Sequence, residues 1–296
     1  MASEQNAIRA VVLLVCLLPG AVAACVAQTG PEQRSAAPAQ EQFPALAQLV
    51  DHALANELRA AQDASHPMRY LLRKSSPRLT TAKEIIETRD GAVARLVAIN
   101  DQPLSAADAQ KEQDRLNALL ADPDLQRHRR HSEQTDTGRA LKVLRALPQA
   151  FLYQHIGSAD TATGRMEKFS FRPNPAFNPP DLETEVLTAM SGEIWIDTAH
   201  ARVTQLEGHL DQDVGFGWGI LGLLHKGGWI VIEQANVGMG QWRTVRFQMQ
   251  MSARVFLSTR SFDMTEDESQ FSSVPAGMSY VQGIEMLLAE PAPAHP

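Results

Sequence analysis

From Thr244 to Met251 the chain alternates: Val245, Phe247, Met249 and Met251 fall at one parity, and Thr244, Arg246, Gln248 and Gln250, with Trp242 before them, at the other. A period of two is that of a β-strand with one buried face, so a half-buried strand is predicted here. From Ala150 onward the segments AFLYQHIG, RMEKFSFR, GEIWID, ARVTQLEGHL, GGWIVIEQANV, QWRTVRFQMQM and ARVFLSTRSF have the length of single strands and are separated by turn residues. Upstream, MRYLLRKSS opens a strand pattern after His66-Pro67, and TTAKEIIETRDGAVARLVAI holds Asp90-Gly91 between two alternating runs, the signature of a tight hairpin. Val93, Val97 and Ile99 are expected on one face of it, with Arg95 among them. Together these give roughly nine to eleven antiparallel strands, a number at which an open sheet curls into a half-barrel with a concave face.

Two regions follow a helical period instead. In FPALAQLVDHALANELRAAQDA, the residues Leu46, Leu49, Val50, Ala53, Leu54 and Leu58 form one stripe, so an N-terminal helix is predicted to lie on the concave face. A helical insertion spans 105–147. Ser105 is placed to cap its first helix, Asp122-Pro123 to start a second, and Thr137 to cap a third that Pro148 ends. Between two strands, Pro173, Pro175, Pro179 and Pro180 predict an extended surface connection from Arg172 to Asp181. The fold class expected is α+β: a curled antiparallel half-barrel with an N-terminal helix and a helical insertion.

Composition narrows the setting. The chain has 296 residues, 44% hydrophobic and 21% charged, with a formal net charge of -7. That balance fits a globular protein and gives nucleic acid nothing to bind, since phosphate backbones require clustered Lys and Arg. At the N-terminus the run AVVLLVCLLPGAVAAC is apolar, follows Arg9 and breaks at Pro19-Gly20, as a secretory signal does. Val22-Ala23-Ala24-Cys25 resembles a bacterial lipobox, which makes Cys25 the expected lipidation site and the membrane anchor; ordinary cleavage after Ala23 or Ala27 is the alternative. With Cys16 inside the signal, the mature chain holds at most one cysteine and no disulfide. The expected division is a signal peptide over 1–24, a flexible tether over 25–42, one half-barrel domain over 43–290 and a tail over 291–296.

Chemistry is harder to find. Gly217, Gly219 and Gly222 match a dinucleotide-binding pattern but lack the buried strand before and the helix after that such a site requires. Ser191 is no nucleophile elbow, because Ala189 and Glu193 stand where its glycines belong. His128 and His131 have a helical metal spacing, yet Arg127, Arg129 and Arg130 surround them and repel a cation. Asp211 and Asp213 have no evident third ligand, and His155, His200, His209 and His225 are dispersed. No catalytic residue, metal or cofactor is expected; a hydrolase is the minor alternative.

The signal with its lipobox, the amphipathic helix, the long meander and the stretches MSGEIWIDTAHARVTQLEG and VRFQMQMSARVFLS resemble the half-barrel architecture of the LolA/LolB lipoprotein carriers and receptors. The stretches KEIIETRDGAVARLVAINDQPLS, FRPNPAFNPP, FGWGILGLLHKGG and SSVPAGMSYVQGIEML resemble uncharacterised bacterial exported proteins related to that superfamily, over most of residues 68–290. The resemblance implies an exported protein of the periplasm or outer membrane, held there by a lipid anchor, with a hollow for an apolar small molecule or lipid. Trp195, Phe216, Trp218, Ile220, Leu221 and Trp229 are the apolar candidates for lining it, and Arg172 and Asn174 the polar candidates beside its mouth. The competing expectation is a structural or protein-interaction lipoprotein whose hollow is plugged by its own side chains.

Overall fold

The alternating stretches pair into a 13-stranded antiparallel sheet that does not close into a barrel, seen in a computed structural model that describes residues 43–216, 222–255 and 258–291. Along the sheet the order is β4 (Gln102–Pro103), β3 (Val93–Ile99), β2 (Thr80–Ile86), β1 (Met68–Ser75), β13 (Ser258–Ser273), β12 (Trp242–Val255), β11 (Trp229–Asn236), β8 (Arg202–Leu210), β7 (Met190–Asp197), β6 (Gly164–Pro173) and β5 (Phe151–Thr161). The short hairpin β9 (Val214–Phe216) and β10 (Gly222–Leu224) prolongs the sheet by pairing with the far end of β12. The half-barrel is thus the expected one with more strands, the extra ones being two or three residues long and too short to show a period.

Cross-strand partners share a face, so the register separates the two sides of the sheet. Ile194, Leu206, Ile232 and Phe247 are successive partners across β7, β8, β11 and β12 and form the inner, concave side. Trp195, Gln205, Glu233 and Arg246, one residue along, form the outer side. Two bulges break the alternation expected from sequence. Glu233 faces Arg246 while Gln234 faces Thr244, which leaves Val245 unpaired, so Thr244 turns inward and is buried while Val245 is half-buried. Likewise Ala82 faces Ala98 and Lys83 faces Leu96, so Val97 bulges and Val93 to Ile99 do not keep one face.

Helix α1 (Phe43–Gln62) lays its stripe on the inner face, with Val50, Ala53 and Leu54 buried and Leu46 and Leu49 packed beside them. The stripe also carries a carboxylate. Glu57 is 4% exposed and accepts from Arg202 Nε at 2.8 Å and Nη2 at 3.0 Å, from the Val203 amide at 3.0 Å and from Gln234 Nε2 at 3.2 Å. A buried charge so fully bonded fixes where the helix sits, and losing one partner costs about 3 kcal/mol or more.

The insertion holds two helices where three were expected. Ser105 caps α2 (Ala106–Ala121), accepting from the Asp108 amide, and Asp122 caps α3 (Pro123–Ala150), accepting from the amides of Asp124 and Leu125. Helix α3 runs unbroken through Thr137, Gly138 and Pro148. The packing of Ala140, Val143 and Leu144 against the core outweighs the cost of about 1 kcal/mol for one glycine. Pro148 sits in the last turn, where it gives up its own N–H bond to the preceding turn, a loss offset by the same packing. The expected hairpin forms, but not with a tight two-residue turn: Ile86 pairs with Val93 across a loop of residues 87–92, whose turn closes from the Gly91 amide to the Thr88 carbonyl at 3.1 Å, and Gly91 is required there. Its φ is +103°, and an added Cβ would lie 2.3 Å from Oε2 of Glu133, whose carboxylate accepts the Ala92 amide.

A C-terminal helix, α5 (Tyr280–Ala289), was not expected. With α2 it covers the outer face at the β2–β3 end, where Ile284 and Leu287 pack with Leu116, Leu119, Ile86 and Val93. Arg95 and Arg69 bind the nearly inaccessible Glu84 from two strands, and Arg95 also donates to the carbonyls of Leu287 and Glu290. Helices therefore cover the inner face at one end of the sheet and the outer face at the other.

Candidate functional site

The inner face contains two hollows, and they differ in kind. The first lies under α1 and α3 and is bounded by Leu54, Val143, Leu147, Ile194, Leu206 and Ile232. It measures about 70 Å³. Ligand pockets run to several hundred cubic ångströms, so this hollow is a packing gap rather than a binding cavity. The proline-rich connection helps to close it. Asn174 donates its amide to Ala150 at 2.8 Å and its Nδ2 to Gln149 at 2.9 Å, clamping the end of α3, and its Oδ1 accepts from Ala176 at 3.0 Å. Phe177 then packs against the core. The connection starts later than expected, because Arg172 and Pro173 still pair with Leu152 and Phe151 in the ladder, and beyond Asp181 the chain is helical. Asp181 caps α4 (Leu182–Glu185), and the following 3₁₀ turn (Val186–Ala189) drives Val186 and Leu187 into the inner face. Tyr153, half-buried nearby, donates its hydroxyl to the Leu147 carbonyl at 3.1 Å, and desolvation pushes its pKa above the usual phenol value.

The second hollow is an open groove of about 1150 Å³ at the β12–β13 end. Met249 faces Met264 and Met251 faces Phe262 across β12 and β13, so these four side chains share the inner face; Met249 and Met251 are buried in the core beneath, and the half-buried Met264 and Phe262 are the apolar surface of the floor. Methionine suits such a floor because its unbranched thioether adapts to ligands of varied shape. Gly228 passes directly over the floor: an added Cβ there would lie 2.5 Å from Met251 Sδ and 3.2 Å from the Gln250 carbonyl. The turn that carries Gly228 is pinned by Leu210, whose carbonyl accepts from Gly227 and whose amide donates to Gly228, both at 2.8 Å.

Cations rim this groove. Lys74 projects inward from β1 and pairs with Glu266 at 3.0 Å. Arg78 comes from the β1–β2 turn and Lys226 from the β10–β11 turn. Arg260 faces Ala253, two residues beyond the Met251–Phe262 pair, which places it on the inner side of β13. Asp263 is the one acid among the lining residues, and by register it belongs to the outer side of the strand, opposite Gln250.

The residues singled out from sequence do not converge. Trp195 stands on the outer face with the Lys168 ammonium 4.8 Å from its ring centroid, and Trp229 stands on the same face, donating to Gln250 Oε1 at 2.9 Å. Both had been expected to line the concave hollow; strand parity sends them the other way. Arg172 lies within β6, exposed, opposite Leu152 at the outer face, and Asn174 is the helix clamp described above. Phe216 ends β9, its backbone paired with Gly222; its side chain lies outside the described residues, as do Trp218, Ile220, Leu221 and Cys25. What sequence reasoning missed are Met264, Phe262 and the rim cations. The methionine parity of β12 was readable, but the cations come from distant turns that only the fold brings together.

Among the described residues no group of three or more His, Cys, Asp or Glu side chains is placed to hold a metal ion, and no helix is long and apolar enough to cross a membrane. His155 binds Glu167 at 2.7 Å, a carboxylate shared with Arg165, and His200 binds Asp197 at 2.8 Å.

No protein-family model matches the chain, and no curated protein matches it in sequence. Among solved structures it is similar to a domain from Vibrio parahaemolyticus named for outer membrane lipoprotein sorting, at 10% identity and a TM-score of 0.34, covering 81% of this chain and 98% of that one. It is similar also to a DUF1329 family protein from Desulfovibrio piger, at 8% identity and a TM-score of 0.28, covering 77% and 93%. A third is MucB in its complex with MucA(peri), at 8% identity and a TM-score of 0.21, covering 75% and 100%. Each is a likeness of fold, at identities too low to carry a function across.

Proposed function

We propose that the protein is a non-enzymatic binding protein of the cell envelope that holds the apolar part of a lipid-like ligand in the open groove of its half-barrel. One observation carries this reading: the concave face is sealed to about 70 Å³ under α1 and α3 but opens to about 1150 Å³ over Met249, Met251, Phe262 and Met264. Buried apolar chain is worth about 0.8 kcal/mol per methylene, so a tail laid on this floor binds without any catalytic group. On this proposal the plugged alternative describes the region under the helices, where the hollow is small, and ligand sits in the groove. In this reading Cys25 carries the lipid anchor, and residues 26–42 tether the half-barrel to the membrane.

The test is displacement of a fluorescent fatty acid. Wild type is expected to bind the probe, and Met264→Asp to lose at least about tenfold in affinity with little change in melting temperature, because Met264 is only partly buried. Unchanged binding in that variant contradicts the proposal. Cys25→Ser is expected to move the protein from the membrane to the soluble fraction.

A further inference from the structure

Ion pairs lace the sheet: on the outer face Arg246 and Arg73 share Asp267, and Arg73 also binds Asp101, while strand cations with no carboxylate partner among the described residues, such as Arg172 and Lys83, stand singly. At the β2–β3 end Glu84 takes both Arg69 and Arg95. Around the groove Lys74 is likewise neutralised by Glu266, but Arg78, Lys226 and Arg260 have no carboxylate within ion-pairing distance among the described residues. In a chain with a net charge of -7, cations left unmatched around an apolar floor are not a general surplus. They arrive from the β1–β2 turn, the β10–β11 turn and strand β13, three separate places in the fold.

We infer that these side chains recognise an anionic, phosphate-type head group, so that the ligand is an anionic amphiphile with its tail on the methionine floor and its head between Arg78, Lys226 and Arg260. This rests on the groove reading above and adds the ligand class. Guanidinium groups present paired donors that match phosphate oxygens, and lysine adds a mobile point charge. The rim is exposed to water, so each contact is modest, and selectivity comes from several acting together. A zwitterionic head of the same size brings a cation into the same cluster and forfeits much of that gain.

The experiment compares an acyl lysophosphatidate with the lysophosphatidylcholine of the same chain length, each displacing the fluorescent fatty acid below its critical micelle concentration, with glycerol 3-phosphate as the tail-less control. The lysophosphatidate is expected to bind about tenfold more tightly. That preference should fall severalfold in 0.5 M salt and vanish in Lys226→Gln/Arg260→Gln, while Arg172→Gln, an exposed cation on the outer face, keeps it. Glycerol 3-phosphate should not displace the probe. If both lysolipids bind equally and Met264→Asp abolishes both, the groove reading stands and the head-group inference is overturned. If neither lysolipid displaces the probe, both fail. Displacement by glycerol 3-phosphate as effective as that by lysophosphatidate means a plain anion site and also overturns the inference.

Discussion

Two stretches of one concave face meet opposite fates. Beneath α1 and α3, apolar side chains from both helices and from the 3₁₀ turn interdigitate with β7, β8 and β11 until about 70 Å³ remains. Past β11, the long hairpin β12–β13 carries the same face onward, and there about 1150 Å³ stays open. The strands are alike in pattern, so the difference comes from what lies above them. Glu57, locked to Arg202 and the Val203 amide, holds α1 over β8 and away from the β12–β13 end, where Met249 and Met251 are buried in the core and the half-buried Phe262 and Met264 face the groove. A curled sheet supplies a concave face, but helix placement decides which part of it is core and which part is site.

The strongest way to break this comparison is to charge the floor where it is core. Phe247 is 1% exposed and lies on the inner face, whereas Gln248, its neighbour, belongs to the outer side. Phe247→Asp should cost about 4 kcal/mol in urea unfolding, an unpaired charge in a core, and Gln248→Asp less than about 0.5 kcal/mol. Equal effects would mean that the register of β12 is wrong. A smaller loss sharpens the account of α1. Glu57→Gln leaves Arg202 without its counter-ion, so the urea midpoint should drop by an amount equivalent to about 3 kcal/mol, while the folded fraction keeps its affinity at the distant groove. Loss of binding in the folded variant would tie the two hollows together.

The smallest effect is a pH dependence at Glu167, a buried carboxylate opposite Ile196 across β6 and β7. Burial raises the Glu167 pKa, but hydrogen bonds from Arg165 and His155 outweigh it and hold the carboxyl below its usual range. A depressed folded pKa gives stability that is complete above the ordinary carboxylate range and disappears as pH falls through the folded value. The stability advantage of wild type over Glu167→Gln, under about 1 kcal/mol at pH 6, should therefore shrink as pH falls below the ordinary carboxylate range. An advantage that grows toward acid would show that the carboxylate is not what the network stabilises.

Much of this architecture was legible in the chain because its signals are local. Asp90-Gly91 marked the hairpin connection, though not its six-residue length, Ser105 and Asp122 specified helix starts, and the parity of Phe247, Met249 and Met251 named the inner face. The misreadings come from places where tertiary packing overrides local preference. Gly138 and Pro148 do not interrupt α3, and one bulged residue, Val245, reverses the parity of Thr244. Helix α5 does carry a local signal, since Ser279 and Gln282 form a reciprocal capping box, but no element is predicted over its ten residues. The site was less legible than the fold. Tryptophan attracts attention as a lining residue, yet Trp195 and Trp229 obey strand parity and face outward. Arg78, Lys226 and Arg260 are separated by long stretches of sequence and share only a place in the folded sheet.

The central claim is that ligand enters the open groove and not the region under the helices, and the methionines report on both. With the chain's 10 methionines labelled at their ¹³C methyls, Met249, Met251 and Met264 mark the groove floor and Met190 marks the closed cavity. Titration of the protein with an acyl lysophosphatidate, followed by methyl NMR, should shift the signals of Met249, Met251 and Met264 in a saturable way and leave Met190 in place. A shift of Met190 with the three groove signals unmoved would contradict the account.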